Sequence, residues 1–495
     1  MSDRWHDLLL DQVASRPDAA AFSDTLGTEW TWSQTGAAAS SAAALLRDLG
    51  VRPGDRVVLL AENCCACPAF LFGASIVGAP VIPFNARQTD HELARVIAHA
   101  DPAAIVCLSD ISQNALAHAT RIGAEAVSGA FGAAHAKAFG SSPEDVCDVG
   151  VILYTTGTTG DPKGVMLTHE NLRFGGQASA NLRWMVPEDV IYGVLPISHV
   201  FGLASVLTAA TYRGAFVQFE ARFSAAKLFS ALQNGVTLLS AVPQMHALLM
   251  QYVKEQGLER LEGGTLRYVS SGGAPLDPDW KRRAEAFYGV PLQNGYGMTE
   301  TTAGIAATQH LERNDDISCG PALPGVEMAV AKDGELLTRG GHVMKGYFRA
   351  PDLSAEVLTQ DGWFSTGDLG AIDGAGRVTI LGRSKELIIH GGFNVYPPEV
   401  EGVLSDHPQV VQAAVVGHMV DGDEKVVAFC QVSADDLPDA GSLEAWVKDR
   451  LAGYKRPWRI ICAEALPAAA TGKILKHKLK ETFADAVSEA MSGMD

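Results

Sequence analysis

The chain has 495 residues, of which 47% are hydrophobic and 19% are charged. The length predicts about three folding units, and the composition is that of a globular protein and not of a disordered one. The 39 Lys and Arg residues against 57 Asp and Glu residues give a formal net charge of −18. A chain this acidic has no general basic surface for nucleic acid or anionic lipid, so any phosphate must bind at a local site.

The chain ends and the eight cysteines favour a reduced, cytoplasmic protein. The start MSDRWHDLLL lacks the features of a secretory signal, and the most apolar region, Val194 to Ala210, is interrupted by polar residues. We therefore expect no membrane span. Eight cysteines are too sparse for a disulfide scaffold. The cluster Cys64, Cys65 and Cys67 is spaced too closely for a usual zinc site and predicts a buried helix.

Short apolar runs alternate with helical patterns along most of the chain. Thr89 and Glu92 form a capping box that predicts a helix through Ala100. Residues 110–150 are rich in Ala, Gly and Ser and predict a thin connector. The alternation predicts an α/β fold with buried sheets. The predicted strands are Arg56 to Leu60, Ala104 to Leu108, Val149 to Tyr154, Thr237 to Val242, Leu266 to Ser270 and Glu335 to Arg339.

The pattern changes toward the C-terminus. Between Gly362 and Leu381 the sequence indicates short strands and turns, with a turn at Asp373-Gly374. A smaller unit follows, with a predicted strand at Gln412 to Val416 and predicted helices at Ser442 to Leu451 and Ile474 to Met491. No repeat of 20–50 residues is present. We therefore predict two domains, residues 1–383 and 384–495.

A loop rich in glycine and threonine follows the predicted strand at Val149 to Tyr154. Its sequence is Tyr154-Thr-Thr-Gly-Thr-Thr-Gly-Asp-Pro-Lys-Gly164, to which the Walker A pattern cannot be fitted. Glycines let backbone N–H groups turn inward, threonines add hydroxyl donors and lysine adds a positive charge. This combination predicts an anion-binding loop. Its candidate phosphate-binding residues are Thr155, Thr156, Gly157, Thr158, Thr159, Gly160 and Lys163.

This loop resembles the signature of the AMP-forming adenylating superfamily, which includes acyl-CoA synthetases, adenylation domains and firefly-type luciferases. Further motifs of the superfamily follow in order over nearly the whole chain: Ser271–Leu276, Tyr296–Glu300, Ser365–Leu369, Gly382–Glu386, Gly391–Glu399 and Thr471–Lys473. The resemblance implies a large N-terminal domain of layered α/β subdomains plus a β-subdomain. A small, mobile α+β C-terminal domain would be hinged to it.

The resemblance also implies residue roles in binding ATP. Tyr296 would stack on adenine, Thr299 would contact phosphate and Glu300 would hold Mg²⁺. Carboxylate oxygen suits a hard cation, and an aromatic ring offers a stacking face. By the same resemblance, adenine would contact Gly273, Ala274 and Pro275, and the ribose would contact Asp368 and Arg383. Lys473 would supply a positive charge for catalysis.

The implied reaction has two steps. A substrate carboxylate attacks the α-phosphorus of ATP and pyrophosphate leaves, with Thr155, Glu300 and Lys473 sharing the developing charge. The small domain then rotates about Lys385 and presents the loop at Gly391 and Gly392, so that CoA thiolate attacks the acyl-adenylate. Ala468 is a departure, because the superfamily often has a basic residue there.

The acyl pocket should lie between Pro196–Leu203, Val242-Pro243 and Asn294–Gly297. His199 would gate the pocket or orient the carboxylate, with a packed core histidine as the alternative. The segment has no acid to pair an amino-acid ammonium. Malonyl-CoA synthetases carry Arg where this chain has Gly295, so a dicarboxylate would lack its partner. The candidate lining residues are His199, Val242, Gly295 and Gly297.

These observations favour a fatty acid over an aryl acid. An aryl- or small-acid–CoA ligase, an acyl-AMP ligase loading a carrier protein, and a non-catalytic adenylate-binding homologue stay open. Luciferase-type oxidation is not excluded by the motifs. The expected ligands are ATP, Mg²⁺, CoA and the acid, with no nucleic acid. The sequence does not fix the oligomeric state, with a homodimer among the alternatives.

Overall fold

The computed structural model describes residues 3–140, 143–156, 162–273, 276–420, 423–433, 437–438, 441–468 and 474–487. Two eight-stranded sheets dominate the larger part of the molecule. In spatial order the first sheet contains Ala306–Ala307, Leu292–Tyr296, Tyr268–Gly272, Leu238–Ala241, Val190–Gly193, Phe216–Phe219, Ala20–Ser23 and Glu29–Thr31. Its end strands are antiparallel to their neighbours and its interior pairs are parallel.

The second large sheet also has a parallel interior, around the strand Val57–Ala61. In spatial order its strands are Gly346–Tyr347, Pro162–Thr168, Val149–Thr156, Val81–Asn85, Val57–Ala61, Ala104–Cys107, Gly132–Ala138 and Glu125–Gly129. The interior strands are short, apolar and buried on both faces, as parallel sheets covered by helices require.

One hydrophobic core includes residues of both large sheets and of the helices beside them. Helices Trp32–Asp48 and Ala66–Val77 approach closely at Gly73, where a Cβ atom would lie 2.9 Å from the carbonyl oxygen of Ala39. The helices of the larger part are Asp7–Ser15, Trp32–Asp48, Ala66–Val77, Asp90–Ala100, Gln113–Ile122, His169–Leu182, Val200–Gly202, Ala209–Arg213, Ala225–Gln233, Pro243–Glu255, Pro278–Tyr288 and Pro351–Val357. A π-helical segment, Leu203–Thr208, joins two of them.

A four-stranded antiparallel sheet follows, and a smaller unit with its own core comes after it. The four strands are Val326–Val330, Glu335–Gly340, Phe364–Ile372 and Val378–Arg383. The smaller unit has the strands Ile388–His390, Phe393–Val395, Val410–Val420, Asp423–Val432 and Arg459–Ala463 and the helices Pro397–Ser405, Ser442–Lys448 and Lys476–Thr482. The predicted α/β fold with a separate small C-terminal unit is confirmed, whereas the boundary at residue 383 stays a prediction.

Most local predictions agree with the structure, with one clear exception. The predicted capping box is present, because Thr89 accepts from the Glu92 N–H and Glu92 accepts from the Thr89 N–H. The six predicted strands each overlap an observed one. The connector predicted at residues 110–150 is wrong, because this region contains helix Gln113–Ile122 and two strands that extend the second large sheet. The predicted last helix is observed as Lys476–Thr482, residues 484–487 are helical as well, and residues 488–491 of the prediction lie outside the described residues.

Cys64, Cys65 and Cys67 are buried at the start of helix Ala66–Val77, as predicted. Within the described ranges, no group of three His, Cys, Asp or Glu side chains is arranged to hold a metal ion. A search of the same ranges finds no helix with the length and apolar character needed to cross a membrane.

Candidate active site on two faces of one strand

Strand Leu292–Tyr296 lies at the centre of the candidate site. It pairs in parallel with Tyr268–Gly272 on one side and antiparallel with Ala306–Ala307 on the other. Successive residues of a strand point to opposite faces of the sheet. Gly295 and Tyr296 therefore belong to different faces, which we call the acyl face and the nucleotide face.

The nucleotide face brings three predicted residues into contact. The Tyr296 hydroxyl donates to Oδ2 of Asp368 at 2.7 Å, and Nε of Arg383 lies 3.0 Å from Oδ1 of the same carboxylate. Asp368 and Arg383 are register partners on neighbouring strands, which explains how residues from two motifs meet. The predicted ring, carboxylate and guanidinium thus form one connected group.

Charge and burial support one another in this group. Burial raises the pKa of Tyr296, and the neighbouring Asp368 carboxylate raises it further, so its hydroxyl stays a donor. Burial alone would lower the pKa of Arg383, but the carboxylates of Asp368 and Glu386 outweigh it and the pKa is raised. Asp368 is 4% exposed, so its charge requires such partners. The group can present carboxylate oxygens at a fixed place, as ribose hydroxyls would require.

A second polar group surrounds Glu300. The hydroxyl of Tyr347 donates to Oε1 of Glu300 at 3.0 Å, and the ammonium of Lys163 lies 5.2 Å from the centroid of the Tyr347 ring. Burial raises the pKa of Tyr347, and so does the charge of Glu300. A carboxylate beside an ammonium fits Mg²⁺ and phosphate, since Mg²⁺ prefers oxygen ligands and would neutralise phosphate charge. Sequence reasoning missed Tyr347, because no motif carries it.

A strained turn fixes Glu300. Thr302 and Ala303 have positive φ angles of 49° and 80°, which are rare for residues with side chains. The Thr302 hydroxyl donates to the carbonyl of His342 at 2.8 Å, and the Ala303 N–H donates to the carbonyl of Met298 at 3.2 Å. A Cβ atom at Gly297 would overlap the Ala303 carbonyl. Gly297 is therefore needed by the turn, and its predicted place in the acyl pocket stays a prediction.

The glycine- and threonine-rich loop connects two antiparallel strands. Thr155 pairs with Lys163 across the ladder between Val149–Thr156 and Pro162–Thr168. Lys163, which follows the loop, also lies against the Tyr347 ring that contacts Glu300. Thr299 is buried in the one-turn helix that contains Glu300, and Gly273 follows the neighbouring strand with φ at +87°. The predicted residues outside the described structure, or with side chains outside it, are Thr156, Gly157, Thr158, Thr159, Gly160, Ala274, Pro275 and Lys473.

The acyl face is built from small residues and one ring. Gly272, Gly295 and Ala307 are register partners on three adjacent strands. A Cβ atom at Gly295 would lie 3.8 Å from that of Ala307, so this row is flat and has room above it. At Gly272 a Cβ atom would come within 3.1 Å of the Phe201 ring, which places that ring over the same face. Sequence reasoning named Gly295 and placed the segment that contains Phe201 along the pocket, but it did not single out Phe201 as a lining residue.

The other residues predicted for the pocket flank this row. Nδ1 of His199 accepts from the Phe201 N–H at 3.3 Å, so His199 caps the short helix that carries the ring. Val242 is half-buried and immediately precedes helix Pro243–Glu255. These contacts give His199 a positioning role toward Phe201, and its predicted role toward a carboxylate stays a prediction.

The predicted hinge and the predicted CoA-side loop lie in the second half of the motif series. Lys385 is exposed in the one-turn helix Ser384–Glu386. Gly391 and Gly392 form the two-residue turn of a hairpin, with φ of +58° and +81°, as such tight hairpins require. The Gly391 N–H donates to Asp423 at 2.8 Å, which holds the turn. The glycines are thus explained by backbone geometry.

The chain matches known protein families and solved structures along most of its length. The model of the AMP-binding enzyme family matches residues 9–348, and that of the AMP-binding enzyme C-terminal domain matches residues 399–473. A feruloyl-CoA synthase from Amycolatopsis sp. is 31% identical over 472 residues, covering 92% of this chain and 94% of that protein. A long-chain-fatty-acid–CoA ligase from Bacillus subtilis (strain 168) is 29% identical over 531 residues, covering 96% of this chain and 93% of that protein. The ATP-bound crystal structure of MatB from Rhodopseudomonas palustris is 30% identical, with a TM-score of 0.82, covering 97% of this chain and 99% of that one.

Proposed function

We propose that the acid substrate of this chain, which belongs to the AMP-binding enzyme family, is an aromatic monocarboxylic acid. The chain is an AMP-forming acid–CoA ligase that uses ATP and CoA. Mg²⁺ accompanies ATP in a related CoA synthetase structure.

The flat row on the acyl face carries this proposal. Gly272, Gly295 and Ala307 leave a surface without protruding side chains, and the Phe201 ring covers one end of it. A planar aromatic acid fits such a slot, because ring pairs gain about 0.5–1.5 kcal/mol beyond simple burial. A flexible alkyl chain would gain burial there but no ring contact.

The charges around the slot also limit the substrate. None of Phe201, Gly272, Gly295 and Ala307 carries a charge, and so a second carboxylate or an ammonium on the acid would lack a partner among them. Burying an unpaired charge is costly, which favours a single carboxylate. That carboxylate would point toward the nucleotide face, where the reacting phosphate is expected.

We assign the remaining roles on the same proposal. Tyr296 binds adenine, Asp368 and Arg383 bind ribose, and Glu300 holds Mg²⁺ beside Lys163. Their support is the contact network through Asp368 and Tyr347. Thr155, Thr299 and Lys473 bind phosphate, and the small domain turns at Lys385 to place Gly391 and Gly392 for the CoA step. These roles rest on the motif series.

A fatty acid is the second candidate. The apolar lining of the acyl face admits it, and the B. subtilis relative is named for long-chain fatty acids. The two candidates differ in what they need from the slot. An aromatic acid needs a flat surface, whereas a long chain needs depth.

One panel experiment separates the candidates. The purified full chain is incubated with ATP, Mg²⁺, CoA and single acids: ferulate, benzoate, malonate, octanoate and palmitate. Acyl-CoA is identified by mass and AMP is quantified. We expect the highest kcat/KM for ferulate or benzoate. A higher kcat/KM for octanoate or palmitate would refute the aromatic proposal, and no AMP with any acid would count against the whole assignment.

The variant Gly295→Leu tests the slot itself. Leucine would fill the space above the row, so we expect kcat/KM for the preferred aromatic acid to fall about 100-fold, in line with the cost of misplacing a reacting group. The KM for ATP should stay unchanged, because Gly295 lies on the acyl face. Gly402→Ala is the matched control, since a Cβ atom there meets nothing within 4 Å. A rise in the KM for ATP as large as the loss of kcat/KM for the acid would show that the two faces do not act independently.

A further inference from the structure

Two cysteines at the start of helix Ala66–Val77 are in direct contact. Sγ of Cys64 and Sγ of Cys67 lie 3.7 Å apart, and the Cys67 N–H donates to the Cys64 carbonyl at 3.1 Å. The two residues thus lie on one tight turn, with their sulfurs facing each other. Neither thiol takes part in the proposed ligase chemistry.

The pair is buried but Cys67 borders a small cavity. Cys64 is 3% exposed and Cys67 is 2% exposed. The cavity has a volume of about 20 Å³ and is lined by Cys67 together with Glu62, Asn63 and Arg87 among others. A space of this size holds a molecule about as large as water, and its walls are partly polar. A small peroxide inside this cavity would lie beside the Cys67 sulfur.

The two thiols have different surroundings. The hydrogen bond with Cys67 and burial together raise the pKa of Cys64 well above its ordinary value, so Cys64 keeps its proton. Cys67 also donates to the carbonyl of Glu62 at 3.3 Å. Cys67 is the thiol at the cavity, so it meets an incoming oxidant first.

The neighbouring Cys65 faces elsewhere. Its Sγ donates to the Thr28 carbonyl at 3.8 Å, and its backbone N–H donates to Asp24 at 3.0 Å. Cys65 is 1% exposed, as deeply buried as the pair. It is therefore a matched control within the same turn.

We propose that Cys64 and Cys67 are a modification site, a dithiol that a hydroperoxide converts reversibly to a disulfide. Cys67 sulfur attacks one peroxide oxygen and the O–O bond breaks, giving a sulfenic acid and water from hydrogen peroxide. Cys64 sulfur then attacks the Cys67 sulfur, the S–O bond breaks, and the released hydroxide leaves as a second water with the Cys64 proton. The balance is two thiols plus one peroxide to one disulfide plus two waters, and a thiol reductant reverses it.

Closing this disulfide would disturb the adjacent Asn63. The Asn63 amide donates to the carbonyls of Gly193 and Leu195, both at 2.9 Å, and its oxygen accepts from the Ile197 N–H at 3.0 Å. Asn63 thereby holds the segment that leads into His199 and Phe201. Drawing the two sulfurs together shifts the backbone next to Asn63, so the oxidised protein should hold this segment less firmly.

Mass spectrometry tests the disulfide. The reduced full chain is treated with hydrogen peroxide, denatured, alkylated and digested. We expect the mass of the peptide with these cysteines to fall by two hydrogens and two of its cysteines to escape alkylation. Treatment with dithiothreitol should restore the original mass and the alkylation of both cysteines. The change should be absent in Cys64→Ala and in Cys67→Ala and present in Cys65→Ala. No loss of two hydrogens in the native chain, or a loss abolished by Cys65→Ala, would overturn the proposal.

Hydrogen exchange tests the effect on the segment. In the oxidised chain, the Ile197 amide should exchange about tenfold faster than in the reduced chain, since local opening governs exchange. Peroxide-treated Cys64→Ala should keep the exchange of its own reduced form, which separates the disulfide from methionine oxidation. Unchanged Ile197 exchange in a fully disulfide-bonded chain would overturn the link through Asn63.

Discussion

The two faces of strand Leu292–Tyr296 recognise their ligands by different means. On the nucleotide face, Tyr296, Asp368 and Arg383 are tied together by charged hydrogen bonds of 2.7 and 3.0 Å. On the acyl face, Gly272, Gly295 and Ala307 contribute mainly the absence of side chains. One face selects by polar groups in fixed places, and the other selects by shape.

This difference has consequences for mutation. Polar groups that hold one another serve every acid alike, so their loss should lower all activities together. Shape acts on the acid alone, so changes there should alter preference and leave the KM for ATP unchanged.

The largest effect is expected for Lys473→Ala. The resemblance assigns this lysine to the charge that develops in adenylate formation, and losing such a group costs on the order of 1,000-fold in rate. Adenylate formation, followed by hydroxamate trapping or pyrophosphate exchange, should fall by this factor for every acid. Thioester formation from added acyl-adenylate and CoA should be retained.

The control for this variant is Lys478→Ala, because Lys478 is an exposed lysine on the following helix. It should leave both half-reactions unchanged. Adenylate formation that is unaffected by Lys473→Ala would remove Lys473 from the catalytic assignment.

A somewhat smaller effect is expected for Asp368→Ala. The change removes the partner of the Tyr296 hydroxyl and of Arg383, which lowers the free energy of unfolding by about 2 kcal/mol. Pyrophosphate exchange should fall on the order of 100-fold, equally for aromatic and aliphatic acids, as for a lost group that binds the reacting nucleotide.

Glu327→Gln is the matched control for this acid. Glu327 also pairs with an arginine, Arg339, but this pair is in contact with solvent, so Glu327→Gln should leave the free energy of unfolding unchanged within the error of the measurement. A loss of exchange in Asp368→Ala that depended on the acid would contradict the separation of the two faces.

On the acyl face, Phe201→Leu should have a moderate and selective effect. Losing a ring contact costs about 1 kcal/mol, which raises the KM for an aromatic acid about fivefold. The KM values for octanoate and ATP should stay within twofold of the native values in the same assay. Phe229→Leu, on helix Ala225–Gln233, changes the same residue type away from the site and should change none of the three. Equal losses for octanoate and the aromatic acid would favour the fatty-acid candidate.

The nucleotide face was largely predictable from sequence, because its side chains occur in motifs with a fixed order. Tyr347 was not, since its place beside Glu300 depends on strand Gly346–Tyr347 pairing with the distant Pro162–Thr168. The acyl face was less predictable for a physical reason. Gly295 and Gly297 look alike in sequence, but one leaves open space and the other makes room for the Ala303 carbonyl.

The same limit explains the error at residues 110–150. Strand Glu125–Gly129 is at the sheet edge and mostly exposed, and its partner Gly132–Ala138 is built mainly of alanine and glycine. Neither strand shows the alternation of large apolar and polar residues on which strand prediction depends. Strand Gly132–Ala138 is placed by pairing with Ala104–Cys107, and Glu125–Gly129 is placed by pairing with Gly132–Ala138, and a local pattern contains neither pairing.

A contact between the small C-terminal unit and the larger part provides the smallest predicted effect, and it belongs to neither face. Asp406 ends helix Pro397–Ser405 and faces Asp277 and Asp279, with Arg283 Nη2 at 4.0 Å. Burial raises the pKa of Asp406 to about 8, and the Asp277 carboxylate adds to the shift. The folded chain therefore keeps this proton at pH values where the unfolded chain has lost it.

This difference in bound protons makes the free energy of unfolding depend on pH. Stability from the contact is fully present below about pH 4 and falls as pH rises toward 8, where the folded form also loses the proton. Asp406→Asn removes this penalty, so it should stabilise the chain by about 1 kcal/mol at pH 8 and by nothing measurable at pH 4. Thermal unfolding of both chains between these values measures the effect, with the exposed Asp449→Asn as control. The preference among acid substrates should stay unchanged, because this contact joins the two parts of the molecule and includes no residue of the acyl face or the nucleotide face. A constant difference in stability at all pH values would show that the shared proton is not its cause.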